Sequence, residues 1–485
     1  MRNVNNMNVL VLNPGSEQTK NVVRDLIYGC WCKGKRIGGM QSPPLNLLYI
    51  ATILKENKHK VKFVDALSEG VPFGKLIPII KKSDAIIINT STMSFSEDTE
   101  LLKKCKHVNP DIKTVIFGSH PTFMPEDCLE KKSVDIIVRK EPEFIIRDLF
   151  NAMEKGKWQK IKGIGFRKGN KKVINEDYGF GDINELPIPD RKLLPKNVDY
   201  FNPLVKKIPY TTMITSRGCP AQCTFCTVPT FYGSKIRARN EDLVLKELEE
   251  IRKQGYKEVW IRDETFTVYK KRNENICKEM IKRKLNLSWL CNARVGTVDK
   301  DMMKLMKKAG CHMIKFGVES GVQQILNNVK KGINVKKTEE TFSWANEIGM
   351  DTHAHMMLGM PGESRKTIEK SIDFAKKIKP NTVSFGICTP YAGTPLYYDV
   401  LEKNPEIKDG SSCDFTKLHE KPFFNTYFTS LSEDELEKYV KKAYRKFYFR
   451  PGYIFNYLKR INNLDELRRV ILAGSNVFSF TVEKK

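Results

Sequence analysis

The sequence has no long apolar run: no stretch of its 485 residues approaches the roughly 18 apolar residues that a membrane-spanning helix needs. The apolar run near the N-terminus, Val9–Leu12, is short and predicts a strand rather than a secretory signal peptide. Internal repeats and low-complexity tracts are also lacking. We therefore expect a protein of two or three domains that resides in the cytoplasm.

Acidic residues are few relative to basic ones. The chain has 57 Asp and Glu against 83 Lys and Arg, which gives a formal net charge of +26. An acidic partner such as nucleic acid, an anionic lipid surface or a charged substrate would suit that charge. The lysines are scattered along the chain, however, and no basic block interleaved with aromatic residues stands out, which favours an ordinary solvated surface. A nucleic-acid partner is therefore not expected, whereas contact with a membrane surface stays open.

The 12 cysteines mostly stand alone. In a long chain without a secretory signal, disulfides are not their expected use, and isolated cysteines are typical small buried hydrophobic residues. Two groups are exceptions: the triplet Cys219, Cys223 and Cys226, and the pair Cys30 and Cys32. The pair admits a ligand role, although an incidental pair near a loop explains it more simply.

Residues 8–155 alternate between apolar, β-branched runs and amphipathic stretches. Strands that are apolar on both faces and are separated by helices predict a doubly wound parallel sheet, whose ligand lies at the carboxyl ends of the strands. Small and hydroxyl residues follow those strands at 13–16, 89–93 and 118–122, and 141–143 is acidic. Such loops let a flat ligand approach the backbone, but ordinary βα connections favour the same residues, and spacing alone does not separate the two.

The rest of the chain divides into three parts. The first domain is expected to span residues 1–155. After it we expect a connector over 156–205 with a hairpin around Gly169, a second α/β domain over 206–400, and a small, mainly helical module over 401–485. Six strand-like runs separated by helices predict a partial parallel barrel in the second domain, with its chemistry at the carboxyl ends of the strands. Helix signals support this pattern: Asn240 is a plausible N-cap, and Gly255 suits the helix end that follows.

The triplet Cys219, Cys223 and Cys226 follows the first strand of this second domain, with C-x3-C-x2-C spacing. Three thiolates on one short loop can hold three irons of a cubane cluster and leave the fourth iron open. A structural zinc ion would need a fourth ligand, and a chance triplet of buried cysteines is the remaining alternative. Location at a strand end favours the [4Fe–4S] cluster.

This triplet, with an aromatic residue before the last cysteine, resembles the signature of the radical S-adenosylmethionine superfamily. The resemblance continues at Trp260–Phe266, at Ala293–Val295, at Phe316–Gly321 and at Leu358–Glu363, in the order of that family's strand motifs. It implies that S-adenosylmethionine is a cofactor. The residues that the resemblance assigns to it are Asp263, Glu264, Arg294, Gly317, Glu319, Ser320, Gly359 and Pro361.

The order of the motifs is similar to that of the branch with an N-terminal cobalamin domain. The resemblance implies cobalamin binding in a flavodoxin-like domain, at Pro14, Ser91, Thr92, Met93, Gly118, His120, Pro121, Thr122, Glu141 and Glu143. Two departures stand out. An Asp-x-His-x-x-Gly motif is lacking, so His120 is interpreted first as a loop histidine that packs or hydrogen-bonds, and Lys140 stands where glycine usually precedes the acidic loop.

The resemblance also implies the chemistry. The cluster would reductively cleave S-adenosylmethionine to a 5′-deoxyadenosyl radical, and cobalamin would supply a methyl group to an unactivated carbon of a small or lipid-like substrate. A flavodoxin or ferredoxin would serve as external reductant under anaerobic conditions. Non-methylating reactions, such as oxidative cyclisation of a porphyrin ester or ring formation in a lipid, and a non-catalytic iron–sulfur or corrinoid carrier stay open. No catalytic base is assigned; His353 and His355 alternate on one strand and would line the substrate cavity if they face the barrel interior.

Overall fold

The protein is described by a computed structural model that covers residues 6–17, 22, 24, 37–153, 155–407, 424–461 and 463–482. The pair Cys30 and Cys32 lies outside the described residues. Two compact units divide the chain, the first built mainly from residues 43–198 and the second from residues 199–403 and the C-terminal helices. In the described parts no helix is long and apolar enough to cross a membrane.

The first unit contains one seven-stranded sheet in the order β2-β1-β3-β4-β5-β6-β7. Strands β1 to β5 pair in parallel, and β6 and β7 add an antiparallel hairpin at the edge next to β5. The predicted doubly wound sheet and the hairpin around Gly169 are thus confirmed, and the hairpin belongs to this sheet. The strands are β1 (Asn8–Asn13), β2 (Lys60–Asp65), β3 (Ala85–Thr90), β4 (Lys113–Gly118), β5 (Ile136–Val138), β6 (Ile164–Lys168) and β7 (Lys171–Ile174).

Helices connect the parallel strands because each strand is buried on both faces and needs a cover on each side. Strand β3 is buried along its whole length, and its Ile86 and Ile88 pack with Leu76 and Leu102 of the covering helices. The helices of this unit are α1 (Leu45–Glu56), α2 (Ala66–Glu69), α3 (Phe73–Lys82), α4 (Phe95–Val108), α5 (Ser119–Phe123), α6 (Pro125–Glu130) and α7 (Pro142–Met153).

The second unit contains an open six-stranded parallel sheet in the order β15-β14-β13-β12-β11-β8 and a short antiparallel pair, β9 with β10. Consecutive strands lie side by side, so the sheet is the predicted partial six-stranded barrel. The strands are β8 (Tyr210–Met213), β9 (Ser216–Arg217), β10 (Arg237–Ala238), β11 (Glu258–Ile261), β12 (Ser288–Ala293), β13 (Cys311–Glu319), β14 (Asp351–Leu358) and β15 (Thr382–Ile387).

Helix α9 shows why the sequence folds as it does. It begins directly after Asn240, as predicted, and its buried residues Val244, Leu245, Leu248 and Ile251 form one apolar face against the sheet. The helices of this unit are α8 (Val228–Tyr232), α9 (Glu241–Lys253), α10 (Lys270–Lys282), α11 (Lys300–Lys308), α12 (Gln323–Asn328), α13 (Val335–Glu347), α14 (Arg365–Lys377), α15 (Pro395–Lys403), α16 (Glu433–Tyr448), α17 (Pro451–Leu458) and α18 (Leu464–Val482).

The C-terminal helices extend the core of the second unit. Tyr448 of α16 accepts a hydrogen bond from the Val383 N–H at 2.9 Å and donates one to the Val383 carbonyl oxygen at 2.6 Å. Leu436, Val440 and Phe447 of the same helix are buried in the core that covers the sheet. Helix α16 therefore packs against strand β15, at one edge of the sheet.

Candidate functional site

The cysteine loop starts at the end of strand β8 and is shaped by Gly218. The φ angle of Gly218 is 96°, in the region that favours glycine, and a Cβ there would lie 2.5 Å from the carbonyl oxygen of Lys235. A second backbone contact holds the loop between Cys223 and Cys226, where the Thr224 N–H donates a hydrogen bond to the Val329 carbonyl oxygen at 3.0 Å. Backbone contacts of this kind fix the path on which the three cysteines stand.

Asp263 holds the beginning of this loop. It is fully buried, and its carboxylate accepts from the Thr215 N–H at 2.6 Å, from the Thr215 hydroxyl at 2.5 Å and from the Ser216 hydroxyl at 2.6 Å. Both carboxylate oxygens are thus engaged by the chain itself. The geometry supports a positioning role for Asp263, and its predicted contact with S-adenosylmethionine stays a prediction.

The three thiols lie in a partly cationic environment. Arg294 Nη1 lies 3.8 Å from Cys223 Sγ, and Lys331 is close enough to both Cys223 and Cys226 to interact electrostatically. Burial raises the pKa of Cys226 to about 12, which the backbone N–H of Val228 opposes. Positive charge beside the loop suits thiolates and an anionic cluster.

The number of thiols also bears on the kind of metal. Among the described residues, no three His, Cys, Asp or Glu side chains converge closely enough to bind a single metal ion. Ligands of a cubane are held further apart than ligands of one ion, because each sulfur contacts a different iron atom. A closed structural zinc site takes four ligands, whereas three thiolates can hold three irons of a cubane, so three cysteines beside Arg294 and Lys331 suit a cluster.

Glu264 lies just after strand β11 and contacts the cysteine loop. Its Oε2 accepts from the Gly218 N–H at 3.1 Å. Burial, together with the charge of Asp263, raises the pKa of Glu264 to about 8, although Arg217 and the backbone donors oppose the shift. The next residue, Thr265, places its hydroxyl 3.9 Å from Cys219 Sγ. The segment after strand β11 thus places two polar side chains beside the cysteine loop.

Glu319 ends strand β13 in a buried ion pair with Lys331, whose Nζ lies 2.7 Å from Glu319 Oε1. Gly317 makes room for the pair, because a Cβ at Gly317 would lie 2.5 Å from Glu319 Oε1 and 2.7 Å from Lys331 Nζ. The ammonium also lies 5.8 Å from the ring centroid of Phe225, beside Cys226. Lys331 therefore contacts both Glu319, which is predicted to bind S-adenosylmethionine, and the cysteine loop.

The other predicted residues of this cofactor are also bonded within the unit. The Ser320 hydroxyl lies 2.9 Å from that of Ser371 on α14, and the Pro361 carbonyl accepts from Asn328 at 2.9 Å. Gly359 has a φ of 78° and donates its N–H to Glu363 at 2.6 Å. These bonds shape the turns after β13 and β14, and the cofactor contacts there stay predictions.

Glu363 should make stability depend on pH. It accepts from the N–H groups of Gly359 and Met360, and burial raises its pKa to about 7. Because the folded state holds this proton more tightly than the unfolded one, the contribution is fully present below pH 4.5, the ordinary pKa, and is lost as pH rises through 7. Glu363→Gln keeps the acceptor but cannot titrate.

We expect Glu363→Gln to abolish a pH-dependent loss of about 3 kcal/mol of unfolding free energy between pH 4.5 and 8. Urea denaturation of the wild type and of Glu363→Gln across that pH range measures the difference between their unfolding free energies. The titration of other groups is common to the two proteins and cancels in this difference. Glu369→Gln on helix α14 is the control: against the effect of burial, Lys442 and Lys446 pair with Glu369 and lower its pKa, so it stays ionised across this range and this part of the pH profile should be unchanged. Parallel profiles for the wild type and Glu363→Gln would contradict the assignment.

The inner face of the barrel carries a polar layer. Ile314, Phe316 and Val318 of β13 pack in the helix-facing core, so Lys315 on the alternate position points to the other face. Ala354 and Met356 place His353 and His355 on that same inner face of β14. The alternation therefore places both histidines on the face opposite the helix-facing core, which is the condition under which they would line a substrate cavity.

Contacts within the layer are close. Lys315 Nζ lies 4.2 Å from the ring centroid of Trp260, and the two imidazole centroids are 4.5 Å apart. His353 Nδ1 lies 2.7 Å from the Thr382 hydroxyl. Burial, with a smaller effect of Lys315, holds the pKa of His353 well below its usual value, so this imidazole is neutral at physiological pH. An ammonium, an indole and two imidazoles thus line the interior.

The loops at the carboxyl ends of the first unit's strands form a second candidate site. Asp98 accepts from the Thr90 hydroxyl at 2.7 Å and the Ser94 hydroxyl at 2.8 Å, and pairs with Arg24 at 2.7 Å. Arg24 also donates to the Pro14 carbonyl at 2.7 Å. These bonds fix the loop that carries the predicted cobalamin residues Ser91, Thr92 and Met93.

Gly118 separates the loops after β3 and β4. Its φ and ψ are 133° and −162°, a region that essentially only glycine adopts, and a Cβ there would lie 2.0 Å from the Thr90 carbonyl oxygen. The next turn is closed by Thr122, whose hydroxyl donates to the Gly118 carbonyl at 2.7 Å and accepts from the Lys140 N–H at 2.8 Å.

We expect Gly118→Ala to lower the unfolding free energy of the first unit by about 3 kcal/mol and to reduce retained cobalamin, because the loops must separate. Calorimetry and the corrinoid absorbance of purified protein measure the two effects. Gly70→Ala is the matched control, since Gly70 also has a positive φ of 66° but open space around it. Equal stability of the two variants would contradict the proposed packing.

His120 and Lys140 are both engaged by neighbouring residues. His120 is fully buried, with Nε2 2.8 Å from Asp127 and its ring 4.2 Å from that of Phe95. Lys140 has a φ of 63°, as a glycine there would, and its ammonium pairs with Asp177 at 2.6 Å. His120 therefore packs and hydrogen-bonds within the protein, and cobalamin contact by this loop, with Pro121, Glu141 and Glu143, stays a prediction.

Sequence reasoning missed several residues of these sites. Lys331, Asn425 and Arg24 were not singled out, although Lys331 pairs with Glu319 and Asn425 donates to the Gly359 carbonyl at 3.0 Å. The chain has 83 lysines and arginines, and no local sequence signal distinguishes Lys331 and Arg24 from the others. Asn425 lies far along the chain from the turn that it holds.

Comparison with protein families gives two matches. Residues 213–375 match the radical SAM superfamily, and residues 38–149 match the B12 binding domain. The first span begins at the end of β8 and includes all three cysteines of the triplet. The second covers the strands of the first unit from β2 to β5.

Related proteins extend these matches to nearly the whole chain. An uncharacterised methyltransferase of Pyrococcus horikoshii is 34% identical over 429 residues, covering 86% of this chain and 90% of that protein. The anaerobic magnesium-protoporphyrin IX monomethyl ester cyclase of Rubrivivax gelatinosus is 27% identical, covering 89% and 78%. The solved structure of the cobalamin-dependent S-adenosylmethionine radical enzyme OxsB is similar with a TM-score of 0.71 and 17% identity, covering 99% and 72%.

Proposed function

The chain belongs to the radical S-adenosylmethionine superfamily, in the branch with a cobalamin-binding domain, and from this premise we propose that it methylates an unactivated carbon of a small molecule. Its cofactors are a [4Fe–4S] cluster, S-adenosylmethionine and cobalamin. We further propose a flavodoxin or ferredoxin as electron donor and an anaerobic cytoplasm as the setting.

One observation carries the proposal: a single chain combines a cysteine triplet at the first strand of a partial barrel with a doubly wound unit that matches the B12 binding domain. A cluster alone would support many radical reactions, whereas a corrinoid in the same chain adds a carrier for a methyl group. The Pyrococcus relative, which covers most of both units, is named as a methyltransferase.

The chain's own residues would bind and orient the cofactors. Cys219, Cys223 and Cys226 would ligate the cluster, with Arg294 and Lys331 compensating its negative charge. When bound, the cluster supplies the electron that cleaves S-adenosylmethionine, and the corrinoid supplies the methyl group. Glu319, held by Lys331, would orient the S-adenosylmethionine in the open sheet.

The barrel interior would receive the substrate. Lys315 and Trp260, with His353 and His355 beside them, offer a cation, an aromatic face and hydrogen-bonding nitrogens in a buried layer. Such a layer can exclude water and orient a substrate that bears both an apolar surface and a polar or anionic group.

Anaerobic reconstitution with iron, sulfide and cobalamin tests the function. Dithionite-reduced protein, S-adenosylmethionine and a cell extract as substrate source should give both 5′-deoxyadenosine and S-adenosylhomocysteine, together with transfer of label from methyl-labelled S-adenosylmethionine to a new compound. Absence of both nucleoside products from protein that holds the cluster would contradict enzymatic activity and support a carrier.

A non-methylating reaction is the second candidate, because the cyclase of Rubrivivax gelatinosus aligns over 89% of the chain. A cyclisation driven by the radical would transfer no methyl group. Production of 5′-deoxyadenosine without S-adenosylhomocysteine, and without labelled product, would therefore favour the cyclase-like alternative over methylation.

A further inference from the structure

Exposed large apolar side chains are concentrated near the C-terminal end. Thirteen of them are exposed in the described part of the chain, and nine lie within residues 449–482, with exposed fractions from 38% at Phe449 to 84% at Leu464. Soluble proteins rarely leave so many apolar side chains together in water unless a partner covers them. We call these nine the C-terminal apolar surface: Phe449, Ile454, Phe455, Leu458, Leu464, Ile471, Leu472, Phe478 and Val482.

Helix α18 has two different faces. On one, Val477 and Phe480 pack against the core of the second unit, and the Phe480 ring lies 5.6 Å from that of Tyr444 on α16. On the other, Leu464, Ile471 and Phe478 follow each other at intervals of seven residues and are all exposed. A seven-residue spacing keeps side chains on one side of a helix, so they form a stripe that points away from the core.

Neighbouring helices add to the stripe. The Phe449 ring, just after α16, lies 5.9 Å from that of Phe478. Helix α17 exposes Ile454, Phe455 and Leu458, and Lys459 at its end places its ammonium 4.1 Å from the Phe455 ring centroid. Aromatic rings beside basic side chains are typical of segments that lie in the headgroup region of a bilayer.

The charges on this segment are predominantly positive. Residues 449–482 contain two acidic residues, Asp465 and Glu466, and five basic ones. Glu466 is buried, and Asp465 pairs with Arg469 at 2.8 Å, so neither carboxylate offsets the remaining basic side chains at the surface. Lys459 and Arg468 have no carboxylate within ion-pair distance in the described residues. Arg468 lies between Leu464 and Ile471 on the exposed side of α18. The basic residues are Arg450, Lys459, Arg460, Arg468 and Arg469.

We propose that the C-terminal apolar surface docks on an anionic lipid bilayer. Its apolar side chains would enter the boundary between headgroups and acyl chains, and Lys459 and Arg468 would extend to the lipid phosphates. A second copy of the chain fits less well, because an apolar stripe packed on its own copy would bury Arg468 without a carboxylate. The proposal concerns location and does not depend on the reaction that the enzyme performs.

Vesicle flotation of the full-length, reconstituted protein tests the proposal. Phosphatidylcholine vesicles with about 30% phosphatidylglycerol should carry the protein upward, and pure phosphatidylcholine vesicles should carry about tenfold less. Binding to the anionic vesicles should weaken as salt is raised. The double variant Phe455→Ser/Phe478→Ser should lose about tenfold in partitioning, and so should Lys459→Glu/Arg468→Glu.

Tyr398→Ser is the matched control, since Tyr398 is an exposed aromatic residue on helix α15 that does not belong to the C-terminal apolar surface, and it should float like the wild type. Unchanged circular dichroism and unchanged cleavage of S-adenosylmethionine in solution would show that the docking variants fold. Flotation that fails with anionic vesicles, or that survives both double variants, would overturn the proposal. So would a dimer in sedimentation velocity that Phe455→Ser/Phe478→Ser dissolves, because the surface would then bind a second copy.

Discussion

Cys223→Ala should leave the protein without a stable cluster and lower the formation of 5′-deoxyadenosine by roughly 100-fold or more. Cys223 is the central cysteine of the loop, it is buried, and Arg294 Nη1 lies 3.8 Å from its sulfur. The remaining two cysteines cannot hold three irons, and methyl side chains do not bind iron. Iron and sulfide analysis, the visible spectrum and product assays measure the effect after anaerobic reconstitution.

Cys277→Ala is the matched control. Cys277 is also buried in the second unit, but it lies on helix α10 in the hydrophobic core, and burial raises its pKa to about 12, as expected for a small packing residue. This variant should keep its iron, its spectrum and its activity, with only a modest loss of stability. If Cys223→Ala kept full iron and cleaved S-adenosylmethionine, the ligand assignment would be wrong.

The fold could be predicted from the sequence because parallel strands buried on both faces leave strong apolar signals. Among the apolar runs of the sequence, Thr382–Ile387 and Asp135–Val138 predict strands; the first is strand β15 as observed, and the second contains β5. The run Thr211–Thr215 also predicts a strand, but strand β8 ends at Met213, and the Thr215 N–H donates to the Asp263 carboxylate instead. The acceptor, Asp263, lies far along the chain, just after strand β11, so the local sequence around Thr215 does not predict this hydrogen bond.

Only the site residues that belong to local sequence motifs could be predicted. The cysteine spacing and the Phe316–Gly321 segment identified the cluster loop and Glu319 as candidates. Lys331 could not be found in this way, because it pairs with Glu319 only after a helix has intervened and because Glu319 adopts a φ of 63°. The predicted cofactor contact of Asp263 stays a prediction, but the sequence did not indicate that its carboxylate also accepts hydrogen bonds from Thr215 and Ser216.

The buried pair of Lys331 and Glu319 leads to the second large effect. The two side chains are only 9% and 8% exposed, so water cannot replace a lost partner. Burial by itself lowers the pKa of Lys331, but Glu319 and Cys223 outweigh it and the net shift is upward, so the ammonium stays charged. We expect Lys331→Met to cost about 3 kcal/mol, because it leaves a buried carboxylate without a cation.

The control for this prediction is Lys337→Met. Lys337 pairs with Glu340 at 2.6 Å, close to the 2.7 Å of the buried pair, but these side chains are 41% and 48% exposed. Its removal should cost less than about 1 kcal/mol. Calorimetry should therefore show a fall of about 6 °C in the unfolding midpoint of the second unit for Lys331→Met and little change for Lys337→Met.

A second measurement separates a structural role of Lys331 from a role in orienting the cofactor. If Lys331 holds Glu319 for S-adenosylmethionine, the dissociation constant of reconstituted Lys331→Met, measured by calorimetric titration, should rise about tenfold, since one charge-assisted contact is lost. Lys331→Arg restores the charge and should recover part of that affinity. Glu319→Gln combined with Lys331→Met removes the unpaired charge, so this double variant should regain stability without regaining affinity. Recovery of both together would mean that the pair acts on stability alone.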